Sequence, residues 1–357
     1  MRKKLMWAWW LLVFALPSHA GQYGMSSEPL SFEVDGLTLS GVYSWPDDGT
    51  ARGLVILVHG YGATNVVAQN GYFEFRVRLA RAGFASFVWD KPGCGESDGK
   101  FDANQPVESS AREVTAAAAF LREREVAGSG VIGLWGISRA GWIAPLALAA
   151  DDDLAFWISV SGVDDQENFG YLLESNWRIE GYNEETIDRL LAQWYWGNAV
   201  ENRDATYEEY SEAMADYYAD PFVQFVSGVE RAPTREAFLA YRSSIQDDPP
   251  TVDPETGLQV YVDEFEQLLS SINVPVLALF GEKDRNVDWR KTAELYRMTM
   301  GKKPDAALTV RSFPDGNHNL HVSETGGFRE MMALERPQRV PGYFESILAW
   351  LDGVVLD

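Results

Sequence analysis

A serine with a small residue two positions before it and another two positions after it lies between two segments of different pattern. The run Gly136–Gly141 reads Gly-Ile-Ser-Arg-Ala-Gly, with Ser138 at its third position. The apolar run Val131–Trp135 before it predicts a buried strand, and the run that ends near Ala150 predicts a helix. A serine at such a strand-to-helix bend presents its hydroxyl at the sheet edge, in a strained backbone that requires small neighbours. We therefore expect Ser138 to be a nucleophile.

A serine hydroxyl is a weak nucleophile and needs a base, in practice a histidine. The chain has four histidines, of which His19 lies in the N-terminal leader. His318 follows the apolar run Leu308–Phe313, at the carboxyl end of the last predicted strand. We expect His318 to be the base, with His321 as the alternative, and we expect His59 to hold the shape of its own loop.

The histidine in turn needs a carboxylate that orients it. The apolar run Val274–Phe280 predicts a strand, and Asp284 follows that strand after a short turn. Asp284 also lies between the serine and the histidine in the chain, the order found at strand-to-helix bends of this kind. Asp284 completes the predicted triad, with Asp288 and Glu282 as the alternative acids.

Acyl transfer also needs two N–H donors directed at the negative charge that develops on the carbonyl oxygen. The backbone N–H of Arg139, next to the nucleophile, is the first candidate. The second is the backbone N–H of Tyr61, in the turn His59–Gly62 that follows the predicted strand Leu54–Val58. The Arg139 side chain is expected at the surface, with binding of a substrate carboxylate as the alternative.

The elements that must position these residues alternate between strands and helices. Six runs are apolar at nearly every position: Leu54–Val58, Phe84–Trp89, Val131–Trp135, Ala155–Val160, Val274–Phe280 and Leu308–Phe313. Strands of this kind are buried on both faces, as in a parallel sheet between helices. Helical candidates lie at Gly71–Arg81 and Val107–Glu125, and a hairpin of two alternating strands, Leu30–Val34 and Leu37–Tyr43, precedes the first run. The pattern predicts a doubly wound α/β fold.

The segment Val163–Asn273 interrupts this alternation. It contains three amphipathic stretches, formed by Ile187, Leu190, Leu191 and Trp194, by Tyr207, Tyr210, Met214 and Tyr217, and by Phe265, Leu268, Leu269 and Ile272. Spacings of three and four residues put each set on one face of a helix. We interpret the segment as a helical insertion over the sheet, with a linker at Gln246–Thr256.

Three motifs together resemble a known family. Besides the His59–Gly62 turn and the Ser138 bend, the segment Asp90–Ser97 reads Asp-Lys-Pro-Gly-Cys-Gly-Glu-Ser. In this order they are similar to the α/β-hydrolase superfamily of serine esterases, lipases and acyl-peptidases, from Leu30 to the C terminus. The superfamily's bend motif is Gly-x-Ser-x-Gly. Here Ala140 stands at the last position and Gly141 follows it, a slight departure, because alanine still has little side chain to clash.

The resemblance implies an α/β-hydrolase fold, with a mostly parallel central sheet flanked by helices and a helical cap domain inserted after the sixth strand. It also implies that Asp90 and Ser97 hold the loop after the fourth strand. We expect four parts: a signal peptide at 1–20, the first part of the core at 21–162, the cap at 163–273 and the second part of the core at 274–357.

The leader has the three parts of a secretory signal. Basic residues at positions 2–4 precede an apolar run, Leu5–Leu16, and small residues lead to Ala20. The run is shorter than the roughly 20 residues that a spanning helix needs. We expect export to the periplasm or beyond after cleavage near Ala20, with no stable membrane span, and an uncleaved anchor as the alternative.

Charge and composition exclude other classes of function. With 30 Lys and Arg against 53 Asp and Glu, the formal charge is −23, which argues against nucleic acid binding. The single cysteine, Cys94, has no intrachain partner and lies outside the serine bend, so neither a disulfide framework nor a thiol nucleophile is expected. No metal-ligand spacing or nucleotide-binding glycine motif appears, so no metal or cofactor is expected.

These features predict an exported serine hydrolase that cleaves a small-molecule carboxylic ester through an acyl-enzyme. An acyl-peptidase or amidase, or an acyltransferase, with the same triad is the alternative, and a non-catalytic binding protein on the same fold is a different class. Cap aromatics are expected either to shape the substrate pocket or to hold the cap together; they include Trp177, Trp194, Trp196, Tyr217 and Tyr218. The sequence assigns no substrate-binding side chain and no oligomeric state.

Overall fold

The structure is a computed structural model of the 357-residue chain. It describes residues 23–164, 168–199, 202, 204–229, 232–247, 250–301 and 308–355. The predicted signal peptide, residues 1–20, lies outside the described residues.

Eight strands in the described residues form one sheet. They are β1 (Met25–Val34), β2 (Leu37–Pro46), β3 (Gly53–Val58), β4 (Phe84–Trp89), β5 (Ile132–Ile137), β6 (Leu154–Val160), β7 (Val276–Gly281) and β8 (Leu308–Phe313). Their order is β1-β2-β4-β3-β5-β6-β7-β8, and only the pairs β1–β2 and β2–β4 are antiparallel. The predicted mostly parallel sheet is confirmed.

Thirteen helices lie in the described residues. They are α1 (Phe73–Arg81), α2 (Val107–Glu123), α3 (Ala140–Ala150), α4 (Phe169–Ile179), α5 (Glu184–Asn198), α6 (Tyr207–Ala213), α7 (Ala215–Ala219), α8 (Pro221–Ser227), α9 (Arg235–Asp247), α10 (Phe265–Ser271), α11 (Trp289–Thr299), α12 (Phe328–Ala333) and α13 (Tyr343–Val355).

Helices cover both faces of the sheet, which explains the continuous apolar strands. In β3 the side chains of Val55 and Leu57 pack into a cluster with α1 and α13. Those of Leu54 and Ile56 point the other way, into a cluster with α2, α3 and α11. Because successive side chains of a strand alternate between faces, only a sheet covered on both sides buries every residue of β3.

The predicted hairpin is confirmed at the edge of the sheet. Val34 pairs with Leu37, so β1 and β2 are joined by a two-residue turn. Asp35 and Gly36 both have positive φ, 50° and 78°. Such a turn matches the right-handed twist of the two strands.

Helices α4 to α8 pack on one another around a third apolar cluster. Trp177, Trp194 and Tyr217 are all buried within it, so these aromatic side chains hold the helices together. The stretch Tyr207–Tyr217, predicted as one helix face, is divided between α6 and α7 at Met214.

Helix α10 packs differently from the other helices of the predicted insertion. Its residues Phe265 and Leu269, together with Ile272, lie in the apolar cluster that covers the sheet rather than in the cluster of α4 to α8. The end of the segment 163–273 is therefore joined to the core by packing, and the boundary of the cap domain stays a prediction.

The strand order defines a crevice at one edge of the sheet. From β3 the chain proceeds to the neighbouring β4 on one side and later to β5 on the other. In open α/β sheets the carboxyl ends of two such strands border the ligand crevice. The final residue of β3, Val58, pairs with Gly136 of β5, so the His59–Gly62 turn and Ser138 leave the sheet side by side.

Candidate active site

Ser138 lies at a strained bend directly between β5 and α3. Its φ is +57°, in the left-handed region that residues other than glycine rarely adopt. A Cβ built on Gly136 would lie 2.7 Å from the Cβ of Ala140, which shows why only small residues fit here. The strained backbone directs the half-buried serine away from both the strand and the helix, at the carboxyl edge of the sheet.

Asp284 and His318 form a buried pair at the same edge. The Nδ1 atom of His318 lies 2.8 Å from Oδ2 of Asp284, and the two side chains are 8% and 0% exposed. Because a carboxylate only accepts, Nδ1 carries the shared proton, and Nε2 is left as the basic nitrogen. The other oxygen of Asp284, Oδ1, accepts from the backbone N–H groups of Asn286 and Val287 at 2.8 and 3.0 Å. These bonds fix the carboxylate against rotation.

The loops after β7 and β8 meet because a glycine ends β7. A Cβ on Gly281 would lie 2.3 Å from the carbonyl oxygen of Gly316 and 2.4 Å from that of Asn317. The backbone N–H of Lys283 donates to the carbonyl of Gly316 at 2.9 Å. The two loops therefore run in backbone contact, and this contact brings His318 to Asp284.

The two alternative acids, Asp288 and Glu282, have other hydrogen-bond partners. Asp288 caps α11, where its Oδ1 accepts from the backbone N–H groups of Arg290 and Lys291. Glu282 accepts from the hydroxyl of Ser312 at 2.7 Å. Of the three carboxylates considered from sequence, the structure pairs Asp284 with His318.

The other histidine of the same loop, His321, forms a backbone bridge with Arg339. Burial, with the positive charge of Arg339, lowers the pKa of His321 to about 4. In the described residues no hydrogen bond joins Ser138 Oγ to either histidine of this loop. Such bonds are often long in an unliganded site and tighten when substrate binds.

Two backbone N–H groups are free beside Ser138. A Cβ built on Gly60 would lie 3.3 Å from the Cβ of Ser138, so the turn that carries Tyr61 lies directly against the serine. In the described part of the chain, neither the N–H of Tyr61 nor that of Arg139 donates a hydrogen bond. Both candidate oxyanion donors are thus available at this edge, and the side chain of Tyr61 is exposed.

A buried polar network connects these two backbone segments. His59 Nε2 donates to the carbonyl of Trp89, whose Nε1 donates to Glu113 at 3.0 Å. Glu113 also accepts from the side chain of Gln105, and the carbonyl of Gln105 accepts from the guanidinium of Arg139. The Arg139 side chain, expected at the surface, is therefore partly buried and bonded to protein.

Burial determines the protonation of this network. It lowers the pKa of His59 to about 4, which keeps that ring neutral at pH 7, and it raises the pKa of Glu113. Burial also lowers the pKa of Arg139, although a guanidinium stays charged. His59 supports the turn in the way expected from sequence.

Lys91 contacts the turn that carries Tyr61, and the sequence did not predict this contact. Its Nζ donates to the carbonyl oxygens of Gly60 and Gly62 at 2.6 and 2.8 Å, on either side of Tyr61. The signal was its place next to Asp90 in the Asp90–Ser97 motif, directly after a buried strand. Its partners could not be read from the sequence, because they depend on how two loops pack.

The rest of the Asp90–Ser97 motif holds its own loop together. Ser97 Oγ donates to the carbonyl of Asp90 at 2.7 Å and accepts from the N–H of Ser40 at 2.9 Å. Cys94 is a free, buried thiol whose Sγ accepts from the N–H of Thr64.

Helix α4 contacts the loop that carries the acid. The hydroxyl of Tyr171 donates to the carbonyl of Asp284 at 3.3 Å, and that of Ser175 donates to the carbonyl of Arg285 at 2.9 Å. The helices beyond β6 are thus anchored beside the buried pair. Within the described residues, no group of three or more His, Cys, Asp and Glu side chains is placed to hold a metal ion.

Comparison with solved structures identifies the fold. An esterase from Pyrococcus furiosus superposes with a TM-score of 0.52 at 15% identity, over 95% of this chain and 98% of that one. The 2,6-dihydroxy-pseudo-oxynicotine hydrolase superposes with a TM-score of 0.52 at 18% identity, over 92% of this chain and 68% of that one. At these identities the similarity shows a shared fold. A search of curated proteins finds no match.

One protein-family profile matches most of the chain. The profile of the family described as serine aminopeptidase, S33, matches residues 49–325, which include the turn before Tyr61, the Ser138 bend and the His318 loop. More than three quarters of the sequence is covered, and the sheet has the order and direction of the α/β-hydrolase fold. The chain therefore belongs to the serine aminopeptidase S33 family of α/β-hydrolases.

Proposed function

We propose that this protein is a serine hydrolase that cleaves carboxylic esters through an acyl-enzyme. The observation that carries the proposal is the buried hydrogen bond between Asp284 and His318, at the sheet edge where Ser138 occupies a left-handed bend. A buried Asp–His pair orients an imidazole as a general base, and a strained serine at a strand-to-helix bend is an exposed nucleophile.

In the proposed mechanism, Nε2 of His318 accepts the proton of the Ser138 hydroxyl while Oγ attacks the ester carbonyl. The negative oxygen of the tetrahedral intermediate accepts hydrogen bonds from the backbone N–H groups of Tyr61 and Arg139. His318 then donates its proton to the departing alcohol oxygen, which leaves an acyl group on Ser138. Water, deprotonated by His318, attacks that acyl group and releases a carboxylic acid and the free serine. Asp284 keeps the imidazole in one tautomer throughout.

The family description supports a second candidate, cleavage of aminoacyl amides by the same residues. The chemistry differs only in the leaving group, an amine in place of an alcohol. A panel of p-nitrophenyl esters of increasing acyl length and aminoacyl p-nitroanilides separates the two candidates. Turnover of the anilides with no turnover of any ester would replace the esterase proposal by the peptidase one.

The nucleophile is tested by labelling. The wild-type protein is expected to react with a fluorophosphonate probe at Ser138, identified by peptide mass spectrometry. Ser138→Ala is expected to lose both the label and ester turnover, while its circular dichroism and thermal unfolding stay unchanged. The half-buried Ser129, which lies in the turn before β5, supplies a matched control, Ser129→Ala, that should retain both. A folded Ser138→Ala protein that still hydrolyses esters would contradict the assignment.

Export belongs to the same proposal and is supported by the leader sequence at positions 1–20. None of the helices in the described part of the chain has the length and apolar character that crossing a bilayer requires. Expression of the full chain in a Gram-negative host, followed by fractionation and N-terminal sequencing, should recover protein that begins at Gly21 outside the cytoplasm. Cytoplasmic protein that retains Met1 would contradict export.

A further inference from the structure

We infer that Lys91 is a positioning residue for the oxyanion hole, because its ammonium group aims the backbone N–H of Tyr61 at the carbonyl oxygen attacked by Ser138. The inference rests on the proposed function and adds a residue that the triad and the two N–H donors do not include. It also gives a role to the Asp90–Ser97 motif beyond holding its own loop.

One peptide unit contains both the carbonyl that Lys91 holds and the N–H group of Tyr61. The carbonyl of Gly60 and the N–H of Tyr61 belong to the same planar trans peptide, so they point in opposite directions. Lys91 Nζ holds that carbonyl oxygen at 2.6 Å. Fixing the carbonyl on one side of the plane fixes the N–H on the other side.

The second bond from Lys91 prevents the turn from rotating. Its Nζ also holds the carbonyl oxygen of Gly62 at 2.8 Å, so the peptide before Tyr61 and the peptide after Gly62 are tied to one point. Gly62 has φ of +95° and supplies no side chain that could hold the turn by packing. Within the described residues, no other group donates a hydrogen bond to either carbonyl.

Neighbouring contacts hold the same two loops together farther from the serine. The backbone N–H of Lys91 donates to the hydroxyl of Thr64 at 2.8 Å, and the N–H of Val66 donates to the carboxylate of Asp90. These bonds do not reach the peptide of Tyr61. They place Lys91, which is 9% exposed, so that its side chain extends toward the turn.

The charge of Lys91 lies in a low-dielectric region next to the site. The charged or titratable groups that interact with it are Arg139 at the start of α3, Glu113 on α2, His59 after β3 and Cys94 in its own loop. Burial, with a smaller contribution from Arg139, lowers the pKa of Lys91 to about 8. At neutral pH the ammonium group is charged, and a cation behind the donor peptide favours a negative oxygen in front of it.

The test compares Lys91→Met with Lys100→Met, the same substitution at an exposed lysine of the same loop. For a p-nitrophenyl ester, kcat of Lys91→Met is expected to fall about 10- to 100-fold, less than the 10²–10³ lost with a donor itself. KM should stay within about threefold, because the donor acts on the transition state rather than on the bound ester. The Ki of a trifluoromethyl ketone, whose hemiketal oxygen occupies the same hole, should rise in proportion. Lys91→Arg, which retains charged donors, should recover most of the loss.

A folded Lys91→Met protein with kcat and Ki within about twofold of Lys100→Met would overturn the inference. So would a loss of kcat that leaves Ki unchanged, since an unchanged Ki means that the oxyanion hole still binds the hemiketal oxygen as in the wild-type protein. If circular dichroism shows that Lys91→Met does not fold, the neutral donor in Lys91→Gln is used, and the same limits decide. Absence of fluorophosphonate labelling in the wild-type protein would overturn the proposed function itself, and this inference with it.

Discussion

Two aspartates four residues apart after β7 have different hydrogen-bond partners. Asp284 holds an imidazole and two backbone N–H groups, whereas Asp288 caps the helix that begins at Trp289. Sequence left both open as the acid, because either could follow a strand in a turn. Asp284 rather than Asp288 is paired with the histidine because the loop that carries His318 contacts Asp284.

Asp284→Asn is expected to lower kcat by about 10³–10⁴ while the fold is retained. The amide can donate to Nδ1 of His318 and so favours the tautomer whose proton lies on Nε2, where the base should be. Asp288→Asn is the matched control and should keep kcat within about twofold, because asparagine caps helices as well as aspartate. Steady-state kinetics on one ester with both variants checks this. Equal losses in the two would show that the acid is misassigned.

The buried, neutral ring of His59 should make the free energy of unfolding depend on pH. The unfolded chain protonates a histidine near pH 6.5, whereas burial lowers the pKa of His59 to about 4 in the folded protein. Between these values the unfolded state binds more protons, so this residue's contribution to stability is lost as the pH falls from 6.5 to 4. The slope is at most about 1.4 kcal/mol per pH unit. Asp90 and Glu113 have raised pKa values and act in the opposite sense, so only a difference measurement isolates His59.

His59→Gln supplies that difference, since glutamine can still donate to the carbonyl of Trp89 and cannot titrate. At pH 7 the wild-type protein is expected to be the more stable of the two. The gap in free energy of unfolding, measured by urea titration at pH 7, 5.5 and 4.5, should narrow as the pH falls. A gap that does not change with pH would mean that the His59 ring does not titrate abnormally.

At the scale of the elements, Asp284 and His318 meet because the end of β7 lies in backbone contact with the loop after β8. Gly281→Ala would place a methyl group 2.3 Å from the backbone carbonyl of Gly316. The loop that carries His318 must then move, so kcat is expected to fall at least about tenfold, with a destabilisation of about 1–3 kcal/mol from overpacking. Ester kinetics and urea unfolding measure the two effects.

Gly353→Ala provides the comparison for that substitution. Gly353 lies in α13, is exposed, and has no atom within 4 Å of a built Cβ. Alanine there should leave kcat unchanged and add up to about 1 kcal/mol of stability, because it favours the helix. Wild-type activity in Gly281→Ala would show that the two loops are not held by their backbone contact.

The elements themselves were predictable from the sequence. Continuous apolar runs gave the buried strands β3 to β7 to within about two residues, and the alternating pattern around Asp35 and Gly36 gave the hairpin. These features depend on local periodicity, which a sequence displays directly. The residues proposed as nucleophile, base and acid were also named from their positions after strands, and the structure pairs two of them, Asp284 and His318.

What could not be predicted depends on contacts between loops. Lys91 reaches the turn of Tyr61 only because β4 lies next to β3, and α10 joins the core cluster although its periodicity matches that of the helices before it. Trp177 of α4 is a similar case, since its spacing in the sequence is the same for a pocket wall and for a buried contact. In the structure its indole donates to buried Asp220. Tertiary packing decides each of these.

The whole molecule combines a strongly negative net charge with two cations behind the candidate oxyanion donors. The formal charge is −23, yet the side chains behind the candidate oxyanion donors include the cations Lys91 and Arg139, and both of them interact electrostatically with Glu113. Long-range repulsion acts on anionic substrates in solution, while the local field favours negative charge at the reacting carbonyl. Neutral esters avoid the first effect and benefit from the second, so the proposed substrate class suits this charge distribution.

The same net charge should make the folded protein less stable at low salt than at moderate salt. Dispersed like charges repel one another in the folded state, and salt screens them with a Debye length of about 10 Å at 0.1 M. Exposed ion pairs such as Arg78–Glu74 are also weakened by salt, but each contributes little, at most about 1 kcal/mol. We therefore expect the free energy of unfolding at pH 7.5, measured with urea, to rise as NaCl increases from roughly 10 to 200 mM. Near pH 5, where carboxylates begin to take up protons, the increase should be smaller; a decrease with salt at pH 7.5 would mean that local ion pairs outweigh the repulsion of the whole surface.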